Sequence, residues 1–170
     1  MTALRAGFVV LTDRYIYSAI ARAEVRGVDS AWIRSIYSMA FVPDAIFYLR
    51  ISSPQHLVER VVSSGRGFDY WESGMDLYLG EDFYESFIEY QRRMLKVFDR
   101  MSSEYGFQVL NASRSVRSVA ADLRRAVAQV IDEPQMSAEE RVSQLQPLRD
   151  KPAPVKPAVN VVDLNKEALS

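Results

Sequence analysis

The chain has 170 residues, 48% of them apolar, with 21 basic against 22 acidic side chains and a formal charge of -1. That is enough for one ordinary domain with a closed core, and it leaves no global field to recruit nucleic acid or an anionic bilayer. Cysteine is absent, which excludes disulfides, thiolate nucleophiles and cysteine metal sites and fits a reducing compartment. No apolar run approaches the roughly 18 residues that span a bilayer, and no signal-type region precedes the first apolar stretch, so the expectation is a cytoplasmic protein without nucleic-acid or membrane partners.

Phe8 to Thr12 is a short apolar run rich in β-branched residues, as expected of a strand covered on both faces of a parallel sheet. Tyr15 to Arg26 follows as a predicted helix closed by Gly27, and Asp29 or Ser30 caps a second helix that runs towards Pro43. Ala45 to Ile51 is the second predicted strand, after which Ser53 and Pro54 open a third helix. Ser63 to Gly80 breaks the alternation with four glycines and reads as a mobile segment carrying functional side chains. Glu81 to Glu104 is a long amphipathic helix with the apolar stripe Phe83, Phe87, Tyr90, Met94, Val97, Phe98 and Met101. Phe107 to Leu110 is a third strand, Ser113 the expected cap, and Val116 to Ile131 the closing helix. Two regions result: a folded domain over 1–132 and a proline-rich, flexible tail over 133–170.

Strand alternating with helix places ligands at the carboxyl ends of strands, where Asp13 and Arg14 stand. Arg14 suits bidentate capture of a phosphate, while Asp13 has three open readings: orienting Arg14, binding a magnesium-water shell, or capping the next helix. Ser18 either bonds a ligand or caps locally. Arg60, Arg66, Asp69 and Glu72 make a second constellation, either a lid that closes guanidiniums on a polyphosphate or an exposed loop with ordinary surface ion pairs. Phe68 and Trp71 are expected to pin that loop to the core. His56, the sole histidine, lacks companions for a metal site and reads as a surface residue. No G-x-x-x-x-G-K-[ST] loop occurs anywhere in the chain.

In order and spacing, Thr12-Asp13-Arg14-Tyr15, Ser18, Ala21, Arg26-Gly27, Pro43-Asp44, the Ala45 to Ile51 strand, Arg60, Arg66, Asp69, Glu72 and Tyr90 resemble the latter two-thirds of thymidylate kinases. The resemblance implies a P-loop kinase-like α/β fold, a three-layer parallel sheet here incomplete, with the N-terminal strands and P-loop missing. It also implies transfer of the γ-phosphoryl of ATP to a deoxynucleoside monophosphate, dTMP to dTDP, with Mg2+ and often as a homodimer. Carried over, Asp13, Arg14 and Arg66 are the catalytic positions, and Arg14, Tyr15, Ser18 and Arg22 hold the acceptor. Arg60, Arg66, Asp69 and Glu72 belong to the ATP lid, and no protein metal cluster is implied. Ala21-Arg22-Ala23 stands where the family commonly has Ala-Tyr-Gln, and Tyr70 where a basic residue often follows the lid aspartate. The isolated chain is expected to be inactive. The remaining readings are a non-catalytic nucleotide-binding or assembly protein that retains a kinase shell, and a deoxynucleoside kinase.

Overall fold

The computed structural model describes residues 2–65 and 67–132; Arg66 and the expected tail over 133–170 lie outside the described residues. A short helix α1 (Thr2–Arg5) precedes α2 (Ile16–Val25), α3 (Ser30–Ile36), β1 (Phe47–Arg50), α4 (Pro54–Ser63), a 3-10 turn at Met75–Leu77, α5 (Phe83–Tyr105), β2 (Gln108–Asn111) and α6 (Val116–Asp132). β1 and β2 pair in parallel, with Phe47 opposite Gln108 and Arg50 opposite Asn111. Parallel neighbours need a crossover, and α4, the 3-10 turn and α5 supply it. The architecture is mixed α/β with a small parallel sheet, and two of the three expected strands are present within one or two residues of their predicted limits.

Side chains set the helix limits. The Asp29 carboxylate accepts the Trp32 N–H at 2.8 Å to open α3. Asp82 does the same for Glu85 at 2.8 Å at the start of α5, and the Glu85 carboxylate reaches back to the Glu81 N–H at 3.1 Å. Pro54 takes the first position of α4, where its missing N–H costs nothing. The cap of α6 is Ser115, not the expected Ser113: Ser115 Oγ accepts from the Ser118 N–H at 3.3 Å. Ser113 Oγ is instead engaged by the Ser52 N–H at 2.9 Å, tying the segment after β2 to the end of β1.

The core lies between α2 and α5. Tyr17, Ile20 and Ala21 of α2 meet Tyr90, Met94, Met101 and Tyr105 of α5, with Ile33 and Phe107 joining the cluster. The Tyr17 ring sits 5.2 Å from that of Tyr105 and 5.1 Å from that of Phe107, separations at which tilted and edge-on aromatic contacts are favourable. The predicted stripe of α5 is thus the packed face, except for Phe83, which stays 42% exposed. At the far end of the same helix, Arg34 of α3 bonds Glu104 Oε2 at 2.9 Å and also reaches the Tyr105 hydroxyl, fastening α3 to α5.

The first expected strand is corrected. Phe8 to Thr12 forms no ladder, and Phe8, Val9, Val10 and Leu11 are 67%, 60%, 48% and 76% exposed. A run of this composition becomes a buried strand only where neighbours complete its backbone bonds and cover its faces, and among the described residues none does.

Two outcomes follow for the fold. Met101 is fully enclosed, so Met101→Ala removes packing without a route for collapse and should cost about 2–5 kcal/mol, read from the denaturant midpoint at unchanged slope. The Arg34 hydrogen bond holds the Glu104 carboxyl below its ordinary pKa against the opposing effect of burial. A carboxylate depressed in the folded state contributes stability above its unfolded pKa and loses it as pH falls through the folded one. The stability gap between the native chain and Glu104→Gln should therefore be widest at neutral pH and narrow as pH falls below the ordinary carboxylate range, as measured by denaturant unfolding across pH.

Candidate functional site

Arg22 in the last turn of α2 and Arg26 at its C-terminal cap are four residues apart, and they meet Glu72 and Asp76, which repeat the same spacing across the chain. Arg26 makes a fork on Asp76, Nε to Oδ2 at 2.9 Å and an Nη to Oδ1 at 3.2 Å, and donates to the Tyr90 hydroxyl at 2.7 Å and the Trp71 carbonyl at 3.0 Å. Its carbon also lies 5.2 Å from the centre of the Tyr90 ring. Partial burial opposes its charge, but the bonds to Asp76 and Tyr90 outweigh that and raise its pKa above the ordinary guanidinium value.

The glycine-rich segment expected to be mobile makes, from Asp69 to Gly80, a series of contacts with α2 and α5 in this structure. Asp69 Oδ1 accepts the N–H groups of Trp71 and Glu72, both at 2.9 Å, closing a tight turn. Ser73 is completely buried and its carbonyl accepts from Ser86 Oγ at 2.8 Å, while Gln91 Nε2 donates to the Glu72 carbonyl at 3.1 Å. Gly74 has φ +65 and lies so close to α5 that a Cβ there would fall 2.7 Å from the Tyr90 ring; at Gly80 one would fall 2.6 Å from the Ser86 nitrogen. Phe68 does pin the segment, its ring 5.1 Å from that of Phe87. Trp71 does not: its side chain is 62% exposed, and it is the backbone that is held, the N–H by Asp69 and the carbonyl by Arg26.

This docking opens a cleft of about 280 Å³ between α2, α4 and α5. Leu57, Val61, Phe87, Met94 and Phe98 give it an apolar floor, and Arg14, Ser18, Arg22, Glu72 and Gln91 give it a polar rim. Glu72 Oε1 receives both guanidiniums, Arg14 at 3.2 Å and Arg22 at 3.0 Å. Arg14 is held in a left-handed backbone conformation with φ 55, uncommon for a residue with a side chain. An apolar hollow with convergent cationic donors along one rim is chemically suited to a ligand that combines a flat apolar body with an anionic end.

The structure thus gathers Arg14, Ser18, Arg22 and Glu72 from the expected set. Asp13 is exposed and makes no hydrogen bond or ion pair among the described residues; it does not cap α2, whose cap position is Tyr15 without a side-chain bond. The Tyr15 ring lies 6.2 Å from that of Tyr17 and packs on the core, outside the cleft lining. Asp69 shapes the turn that presents Glu72. Arg60 points away from the cleft and donates to the Ala112 carbonyl after β2. His56 is bound locally through Nδ1 to Ser52 Oγ at 2.9 Å. Arg26, Asp76 and Gln91 received no role from the sequence; the matched four-residue spacings 22/26 and 72/76 are the signal that finds the first two. Among the described residues no group of three or more histidine, aspartate or glutamate side chains is arranged to hold a metal.

The fold is mixed α/β with a small parallel sheet, and its cleft between α2, α4 and α5 carries two arginines on the rim. The thymidylate kinase family model matches residues 1–123. The chain is 37% identical over 131 residues to probable thymidylate kinase 2 of Saccharolobus solfataricus, covering 76% of this chain and 61% of that protein. It is 28% identical over 120 residues to probable thymidylate kinase of Caldivirga maquilingensis, with 71% and 51% covered, and 25% identical over 130 residues to thymidylate kinase of Arabidopsis thaliana, with 76% and 42% covered. The chain belongs to the thymidylate kinase family. It spans about half the length of these relatives.

Because Gly74 combines a positive φ with close approach to Tyr90, Gly74→Ala should cost about 1–3 kcal/mol and loosen the 69–80 segment. Limited proteolysis should show new cleavage between Phe68 and Asp82 in that variant, and calorimetry a lowered Tm.

Proposed function

We propose that the chain forms the acceptor-binding part of a thymidylate kinase-type phosphotransferase, which moves the γ-phosphoryl group of ATP onto a deoxynucleoside monophosphate, dTMP to dTDP. The observation that carries this reading is the convergence of Arg14 and Arg22 on a single point at the rim of an apolar-floored cleft. Phosphoryl transfer is largely positioning and charge neutralisation, and a guanidinium fork is the side chain best matched to a phosphate monoester. In this reading Arg14 grips the acceptor phosphate, Ser18 and Gln91 offer polar contacts beside it, and Phe87, Met94 and Phe98 support the nucleoside.

The donor needs machinery that these residues do not supply. With no glycine-lysine loop in the sequence, the chain on its own is proposed to bind the acceptor without turnover. Mg2+ enters such reactions on the triphosphate and asks the protein for only one or two carboxylates; the unpaired, exposed Asp13 beside Arg14 fits that limited demand. The ion would neutralise charge on the transferring phosphoryl group. Arg66 is proposed as the lid cation, and Arg60 as its neighbour on α4. A cytoplasmic homodimer completes the proposal.

Calorimetric titration of the 170-residue chain tests it. Binding of dTMP is expected, and Arg14→Ala should weaken it by about 10- to 100-fold, the loss of a charge-assisted bond pair, while thymidine binding changes little. Equal affinity for dTMP in the variant would remove Arg14 from the acceptor site.

A further inference from the structure

We propose that Glu72 is an internal competitor for a two-guanidinium phosphate site, and that Arg14 and Arg22 are handed from its carboxylate to the phosphate monoester of an incoming nucleotide. The inference rests on the acceptor reading of the cleft. It adds a second cation, Arg22, to the phosphate clamp, and it assigns Glu72 to the unliganded state of that clamp instead of to the donor lid.

The charge count at the rim motivates it. Two guanidiniums share one oxygen of one carboxylate, so among the described residues the trio carries one excess positive charge, and each arginine has further N–H groups without a partner. Asp76, the next acid along the segment, is committed to Arg26. A phosphate monoester brings up to two negative charges and three acceptor oxygens, matching what Glu72 leaves unmet. The exchange is easy because the three side chains are 57%, 41% and 49% exposed, the regime in which ion pairs are weak and screened. A neutral nucleoside cannot make the same trade, so the device selects the phosphorylated acceptor.

The backbone is arranged so that only the Glu72 side chain has to move. The Glu72 N–H is fixed by Asp69 and its carbonyl by Gln91, and the flanking residues are held through the Trp71 carbonyl and Ser73. Rotation about the glutamate side-chain bonds therefore releases both arginines without disturbing the anchored segment. Gln91 stays in place to line the cleft in either state.

The test compares the full chain with Glu72→Gln, and with Glu72→Ser in case one variant folds poorly, by titration with inorganic phosphate, dTMP and thymidine at two ionic strengths. Removing the competitor should tighten phosphate and dTMP by roughly 3- to 10-fold, most at low salt, and leave thymidine unchanged. Arg22→Met should loosen phosphate and dTMP by about 10-fold, with part of the affinity returned by Arg22→Lys. A gain in affinity is a readout that structural damage does not produce. If the native chain binds dTMP and neither Glu72 variant binds it more tightly, the handover is overturned while the acceptor reading stands. If neither the native chain nor any variant binds phosphate or dTMP, both fall together.

Discussion

The attachment of the 69–80 segment to the α2–α5 pair through Arg26 is the constraint on which the site depends. One guanidinium joins three parts of the chain: its own helix, the Asp76 turn with the Trp71 carbonyl, and Tyr90 of α5. With its side chain only 24% exposed, this charge would be costly without partners, and the fork on Asp76 provides them in a geometry that fixes direction as well as distance. The two glycines that touch α5 allow the segment to come close enough for these bonds to form. Glu72 is placed at the cleft as a result, and so is the rim it shares with Arg14 and Arg22.

Packing and electrostatics divide the labour along α2. One face of the helix, Tyr17, Ile20 and Ala21, is sunk into the aromatic core and sets its position against α5. Arg22 in its last turn and Arg26 at its C-terminal cap lie alongside; Arg26 is fully satisfied and Arg22 is left half-exposed at the cleft. A rigid helix with one satisfied and one available cation is a better ligand platform than a loop, since the available group is positioned by contacts it does not itself make.

Much of this was legible in the sequence. The strands around Phe47–Arg50 and Gln108–Asn111, the five longer helices and the buried stripe of α5 follow from apolar period and capping residues, although α3 stops at Ile36, well short of Pro43, and Arg14, Ser18, Arg22 and Glu72 are all legible in the sequence as candidate residues. What failed has identifiable causes. Glycine-rich composition reads as freedom, yet at Gly74 and Gly80 it reflects close contact, which only the partner helix reveals. Phe8 to Thr12 has the composition of a buried strand, but pairing depends on a neighbour and local sequence does not encode one. Ser113 and Ser115 are equally good caps by type, and the long-range bond from Ser52 decides between them. Arg26 was seen as part of a pattern without a role, because its partners lie 45 to 64 residues away.

The left-handed backbone at Arg14 sets a limit on what evolution or an engineer can do there. A conformation that an L-residue adopts at a cost of about 1 kcal/mol or more means that this position gives up some robustness so that one side chain leaves the backbone in a fixed direction. Glycine would relieve the tension and erase the charge in the same step, and a β-branched residue would raise it further. Selection for a sturdier fold and selection for anion capture therefore pull this one position in opposite directions.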